Sequence, residues 1–338
     1  FAQLNYGIIQ HNLVAVDGDF LPIDTDGDGL HDRLIGYGVE GNSMLKSRIY
    51  DFDGVNETFI QTGVLQDVGY GKIIQTNLDG LHGPDLLIIG TPNLNASNQN
   101  PFAKILLDDG NGGYTISQTL VGLYNVVADF IDIDNDGDVD LRTSGLDASS
   151  RLRSIIYQNV NGVFTKIIDD IGSNGTNTTL QSNCYVMVNN NDGTFEVLRG
   201  VRGLLGDDTI LVFNEFGRYI LKTSNNNSDI YFVNSDGITE SGSSSIPNHT
   251  NTNILEHDFN SDGDFDYYVA GFQSPTNPTA GIYLDTGSNL MLDPNFIPAD
   301  RAYGSSVIIT IPYQGVTTNI LLTTGSYGLG AYQDTLLT

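Results

Sequence analysis

The sequence predicts an all-β fold assembled from a repeated unit of four short strands. Three observations carry that expectation. The composition is one of strands and turns: of 41 acidic residues only 6 are Glu, Gly numbers 39, and helix formers are scarce. A hairpin signature recurs along the chain. An acidic loop recurs out of phase with it. With 39% hydrophobic residues, the 338-residue chain has enough apolar material for a core.

The hairpin signature is a short apolar strand, a turn of Gly, Asn and Asp, and then an aromatic or apolar residue. It reads "RIYDFDGVNETF" (48–59), "ILLDDGNGGY" (105–114), "IIYQNVNGVF" (155–164), "YVMVNNNDGTF" (185–195), "IYFVNSDGI" (230–238) and, more weakly, "IYLDTGSNL" (282–290). Asn, Asp and Gly tolerate the positive φ that tight hairpin turns demand. Six such hairpins, with a seventh split across the termini, make units averaging about 48 residues. Repeats of this length with four strands each predict a seven-bladed β-propeller of antiparallel blades, with six or eight blades as alternatives, one domain over 1–338.

The termini fit a closed ring. Residues 2–24 match 115–134 in pattern, the part of a unit after its hairpin turn, and "GAYQDTLLT" resembles the part before it. The last blade is therefore expected to pair N- and C-terminal strands. The fourth unit, about 165–200, is short and lacks an acidic loop. The fifth and seventh carry "VFNEFGRYIL" (212–221) and "TIPYQGVTTNIL" (310–321) where that loop belongs.

The acidic loops are "DTDGDGLHD" (24–32), "DIDNDGDVD" (132–140) and "DFNSDGDFD" (258–266), with a degenerate "NLDGLHGPD" at 77–85. Calcium takes six to eight oxygens at about 2.3–2.6 Å, and carboxylates on alternating residues wrap one ion. Positions 1, 3, 5 and 9 are Asp24, Asp26, Asp28 and Asp32 in the first loop. In the second they are Asp132, Asp134, Asp136 and Asp140, and in the third Asp258, Asn260, Asp262 and Asp266. Position 7 offers its backbone carbonyl, from Leu30, Asp138 or Asp264. Gly29, Gly137 and Gly263 at position 6 allow the sharp turn. The degenerate loop keeps Asn77, Asp79 and Asp85 but has Leu81 at position 5. An EF-hand needs a Glu at position 12 between helices. Here that position holds Ile35, Thr143 or Val269 among strands, so the expectation is about three Ca2+ sites of another kind.

The pattern D-x-D-x-D-G-x-x-D followed by an apolar residue resembles the FG-GAP/VCBS repeats of integrin α-subunit propellers. It is also similar to fungal and bacterial seven-bladed lectins and adhesin modules. The resemblance implies a calcium-stapled propeller, secreted or at the cell surface, whose ions pin the loop between strands of one blade. It also implies an extracellular glycan or glycoprotein as partner. An integrin-like protein–protein module, or the propeller domain of a polysaccharide-degrading enzyme, stays as an alternative.

Charge narrows the partners. A net −27 disfavours nucleic acid and anionic membrane surfaces, which need a cationic face, and no stretch has the 18 apolar residues of a span. The chain opens at Phe1 without Met or a signal-like segment, which reads as a processed or excised piece. The lone Cys184 excludes an internal disulfide and reads as a small buried residue. "GYGVEG" (36–41) fits a dinucleotide fingerprint but opens no helix, so its glycines belong to turns. No catalytic constellation is found: the five His are dispersed, and every close Asp pair is better used on a metal. The 17 Tyr offer surfaces for sugar rings, although most fall at strand positions suited to core packing.

Overall fold

A computed structural model describes residues 6–8, 13, 17–40, 44–94, 100–134, 136–171, 184–189, 195–200, 208–213, 218–224, 227–234, 237–243, 250–274, 277–286, 290–296, 306–323 and 330–334. The side chain of Cys184 and the turn at 190–194 lie outside them, as do residues 2–5 and 335–338 of the terminal match. The described residues form seven antiparallel sheets, six of four strands and one of two. No helix among them is long and apolar enough to cross a membrane.

The first sheet orders Asp17–Ile23, Arg33–Glu40, Met44–Asp53 and Thr58–Val64 in sequence. The second orders Gly69–Thr76, Asp85–Thr91, Phe102–Asp108 and Tyr114–Leu120; the third, Tyr124–Ile131, Asp140–Leu146, Leu152–Val160 and Val163–Ile171. The fourth pairs only Cys184–Asn189 with Phe195–Gly200, where the sequence unit is short. The fifth contains Asp208–Phe213, Arg218–Ser224, Asn227–Asn234 and Gly237–Ser243. The sixth contains Thr250–His257, Asp266–Ser274, Asn277–Asp285 and Leu290–Leu292. The seventh orders Ser306–Tyr313, Val316–Thr323, Gly330–Asp334 and Tyr6–Ile8. All six predicted hairpins pair as expected.

Two compact units emerge. One comprises Ile8–Gly175 with Val307–Gln333, the other Phe1–Gly7, Thr176–Ser306 and Asp334–Thr338. In the first unit, the second strands of the first three sheets are buried on both faces, as in "DLLIIGT" (Asp85–Thr91). Its alternating side chains fill two cores at once. Ile35, Tyr37 and Ile49 of the first sheet meet Ile73, Leu86 and Ile88 of the second. Leu87, Ile89 and Ile105 of the second then meet Ala128, Leu141, Ile155 and Tyr157 of the third. Phe20, Leu34 and Tyr50 pack against Ile309, Ile311 and Ile320 of the seventh. In the other unit, Tyr268 meets Phe296 edge-on, ring centroids 6.0 Å apart, among buried Val269 and Ile282.

One repeated feature had no sequence signal. Third and fourth strands slip register by one residue at Ile49/Tyr50, Ile105/Leu106, Ile156/Tyr157 and Asp229/Ile230. First and second strands slip between Gly69 and Lys72, Tyr124 and Val127, and Thr250 and Asn253. Such bulges add local twist and break up an outer edge that would otherwise template another strand.

Candidate metal centre

Each acidic loop joins the first strand of a sheet to the second, and its backbone is folded by its own carboxylates. In the first loop, Asp24 accepts from the amides of Gly27 at 2.7 Å and Gly29 at 2.8 Å. Asp26 accepts from Asp28, and Asp28 from Leu30, in a chain of i→i+2 turns. The second loop repeats the scheme: Asp132 takes the Gly137 amide, Asp134 that of Asp136, and Asp136 that of Asp138. In the third, Asp258 takes Asp262 and Gly263, while Asn260 also reaches the Asp262 amide.

These turns point positions 1, 3 and 5 inward. One carboxylate oxygen from each of Asp24, Asp26 and Asp28 lies within 4.8 Å of the others, and Asp132, Asp134 and Asp136 do the same. In the third loop position 3 is Asn260, whose amide oxygen takes the carboxylate's place and accepts the Asp262 amide. At position 6, Gly29, Gly137 and Gly263 have φ of +88°, +97° and +94°. Nothing lies within 4 Å of where their Cβ would be, so the demand for Gly is conformational and not a lack of room.

The ninth-position Asp has a role the sequence did not disclose. One oxygen accepts from the amide of position 2, and the other reaches the third strand of the sheet. Asp140 holds Ile133 at 3.0 Å and Asn159 at 2.7 Å; Asp266 holds Phe259 at 2.9 Å and Asp285 at 2.8 Å. Asp85 of the degenerate loop does the same with Leu78 at 2.7 Å and Asp108 at 2.9 Å. All three are at most 1% exposed. Asp32 grips Thr25 through its amide and hydroxyl at 3.0 and 2.8 Å. Because the partners are backbone amides 19 or 23 residues further on, no residue type marks them. The ninth Asp is thus a rivet between loop and sheet, and its share of an ion would come through its remaining lone pairs.

The electrostatics distinguish loop positions. Burial opposes ionisation of Asp24, but the amides of Gly29, Gly27, Asp26 and Asp28 outweigh it and hold its carboxyl below the usual range. Burial pushes Asp266 up to about 6 and raises Asp85 as well, in each case against two or more amide bonds. Asp138 is also raised, by burial and then by the charges of Asp136 and Asp140. Asp132 Oδ1 and Asp138 Oδ1 are both buried without a hydrogen-bond partner. Buried, partnerless carboxylate oxygens beside like charges suit a hard cation.

The first loop has two further attachments. His31 donates its amide to Thr310 O at 2.7 Å and accepts the Thr310 amide on Nδ1 at 2.8 Å, tying the loop to the seventh sheet. Arg33 takes the place after the ninth Asp, apolar in the other three loops. It is 5% exposed, bonded through Nε to Asp51 at 2.7 Å, with its guanidinium 5.9 Å from the Tyr114 ring centroid.

No family model matches the sequence, and no curated protein does either. Solved structures do match. Sqt1 of Saccharomyces cerevisiae aligns with a TM-score of 0.51 at 9% identity, over 98% of both chains. The fold is propeller-like. Rhamnogalacturonan lyase of Bacillus licheniformis gives a TM-score of 0.47 at 11% identity, over 98% of this chain and 75% of that one. A Trypanosoma rangeli sialidase mutant with trans-sialidase activity gives 0.45 at 9%, with all of this chain covering 60% of the sialidase. This propeller-like chain thus spans about three-fifths of that sialidase's length. At such identities the likeness concerns architecture alone.

Proposed function

We propose that this chain is a calcium-stapled, seven-bladed β-propeller that works outside the cell as a binding module and takes a glycan. The metal reading is carried by one observation: three carboxylates converge in each of two loops, and Asp132 Oδ1 is left buried without a partner. Asp24, Asp26 and Asp28 with the Leu30 carbonyl would hold one ion. Asp132, Asp134 and Asp136 with the Asp138 carbonyl would hold a second, and Asp258, Asn260 and Asp262 with the Asp264 carbonyl a third. A bound calcium supplies charge neutralisation, and the chain's own turns supply its cage. Closure of the ring by Tyr6–Ile8 against Gly330–Asp334 is supported by the strand order of the seventh sheet. The glycan partner and the extracellular setting rest on the resemblance to lectins and adhesins built from such repeats.

Calcium that binds only the folded chain stabilises it by about 2.7 kcal/mol per site at a hundred times Kd. Melting in excess chelator is therefore expected well below melting in calcium. An unchanged melting temperature would remove the staple reading. A glycan array probed with and without chelator tests the partner, and silence in both arms would remove the lectin reading.

A further inference from the structure

The strand Gly69–Thr76 opens with Gly69, Tyr70 and Gly71, at the end remote from the acidic loop that follows Thr76. A Cβ on Gly69 would meet Leu45 Cδ2 at 2.7 Å, and one on Gly71 would meet Ile89 O at 2.0 Å. Gly71 is thereby pinned as glycine by backbone, whereas Gly69 faces only the tip of the Leu45 side chain. The bulge between Gly69 and Lys72 puts Tyr70 at a φ of +47°, a left-handed conformation that costs a bulky residue about 1 kcal/mol or more. Asn125 holds the same φ of +47° at the matching bulge of the third sheet, and Asn tolerates it well. The other described non-glycine residues with positive φ are Glu57, His82, Ser150, Asn161, Ser261 and Gln314. Tyr70 is the one benzenoid ring among them. The strain serves no packing need, because the residue is 50% exposed.

The surroundings say what the ring could receive. Lys72, two residues on, is paired with Asp19 at 3.1 Å, and Lys46 with Asp67 at 4.0 Å. Lys104 is bonded to Gln66 and lies over the Phe102 ring. Two of these three lysines are matched by carboxylates, Lys104 is engaged by a neutral amide and a ring, and the chain carries a net −27, so a polyanion gains little. Met44, 52% exposed, adjoins the Leu45 that touches Gly69 and adds apolar surface. A half-exposed phenol on a strongly acidic chain favours an uncharged, hydroxyl-rich ring with an apolar face. We propose that Tyr70 is the stacking residue of a neutral-glycan site at the end of the second sheet opposite the acidic loops. This deepens the glycan reading above and rests on it.

The test compares wild type, Tyr70→Phe and Tyr70→Asn in saturating calcium on an array holding neutral, sialylated, uronic-acid and sulfated oligosaccharides. Each variant is also melted. Wild type and Tyr70→Phe should bind neutral glycans alike. Tyr70→Asn should lose at least ten-fold in binding while melting at or above wild type, since Asn relieves the backbone strain. Retained binding in Tyr70→Asn would overturn this site and leave the lectin reading standing. Binding confined to acidic glycans would do the same, as would a lower melting temperature alongside lost binding. A wild-type chain that binds no glycan would overturn both.

Discussion

Loops 77–85 and 132–140 share a backbone and differ in chemistry. Both carry an i→i+2 Asx turn at position 3, from Asp79 or Asp134, and close with a buried Asp, Asp85 or Asp140, whose two oxygens bind position 2 and the third strand. Both turn through a left-handed residue at position 6, Gly137 at +97° and His82 at +55°. At positions 1 and 5 they part, Asp132 and Asp136 against Asn77 and a 58%-exposed Leu81, while position 3 is Asp in both, Asp134 and Asp79. The rivet persists where the triad has gone. Two layers of design are therefore superposed in one nine-residue motif, a scaffold that needs no ion and a cage that suits one.

The strongest way to break that division is to remove the rivets. Asp140→Ala and Asp85→Ala each strand one buried and one part-buried amide, worth about 1–3 kcal/mol apiece. Both should lower the unfolding free energy by about 3 kcal/mol in denaturant titrations, equally with calcium and with chelator. A loss at Asp140 that vanished in chelator would make the ninth position part of the cage instead. Next in size is the cage. Asp134→Ala should remove one ion from the stoichiometry measured by calorimetry and with it about 2–3 kcal/mol of calcium-dependent stability. In chelator the same variant should equal or exceed wild type, because like charges are relieved. Asp79→Ala should change neither.

Much of this was legible in the sequence, and the reason is periodicity. The hairpins at 48–59, 105–114 and 155–164 could be read because turn residues interrupt apolar strands at a fixed interval. The three loops could be read because metal ligands must alternate and position 6 must take positive φ. The rivets could not. Their acceptors are carboxylates, but their donors are the backbone amides of Asp108, Asn159 and Asp285, which every residue type provides. The bulges were hidden for the same reason, being a matter of register. Arg33 was hidden because it breaks the pattern, placing a cation where Leu86, Leu141 and Tyr267 stand in the other loops.

A gain of function sharpens the comparison. If loop 77–85 is a finished scaffold without a cage, Asn77→Asp with Leu81→Asp should install one. The double variant should bind one more calcium than wild type, and its added calcium-dependent stability should be about 1 kcal/mol or more at saturation. Adding His82→Gly should tighten the site, since Gly adopts the left-handed turn without strain. Unchanged stoichiometry in calorimetry would mean that the two loop backbones differ in more than their side chains.

The smallest effect concerns loop 24–32, which among the four acidic loops is the one tied to another sheet, through His31. Burial lowers the His31 pKa, Asp24 and Asp32 oppose it only in part, and the Thr310 amide donated to Nδ1 needs that nitrogen unprotonated. The unfolded chain, near 6.5, therefore takes up a proton that the folded chain resists. Stability from this contact is complete above about pH 6.5 and falls as pH drops below it, by at most ~1.4 kcal/mol per pH unit for one proton. His257 is lowered by burial too and adds a slope of the same sign. Asp266, pushed up to about 6, acts oppositely in the calcium-free chain: stability rises as pH falls from about 6 toward 4. The total profile is thus a partial cancellation, and only a difference between variants isolates His31. His31→Asn keeps an acceptor near the Thr310 amide and removes the titration. Its melting temperature, subtracted from wild type across pH 5 to 8, should be flat above 6.5 and should favour the variant below. A difference that is level throughout would mean that the His31–Thr310 latch carries no proton linkage.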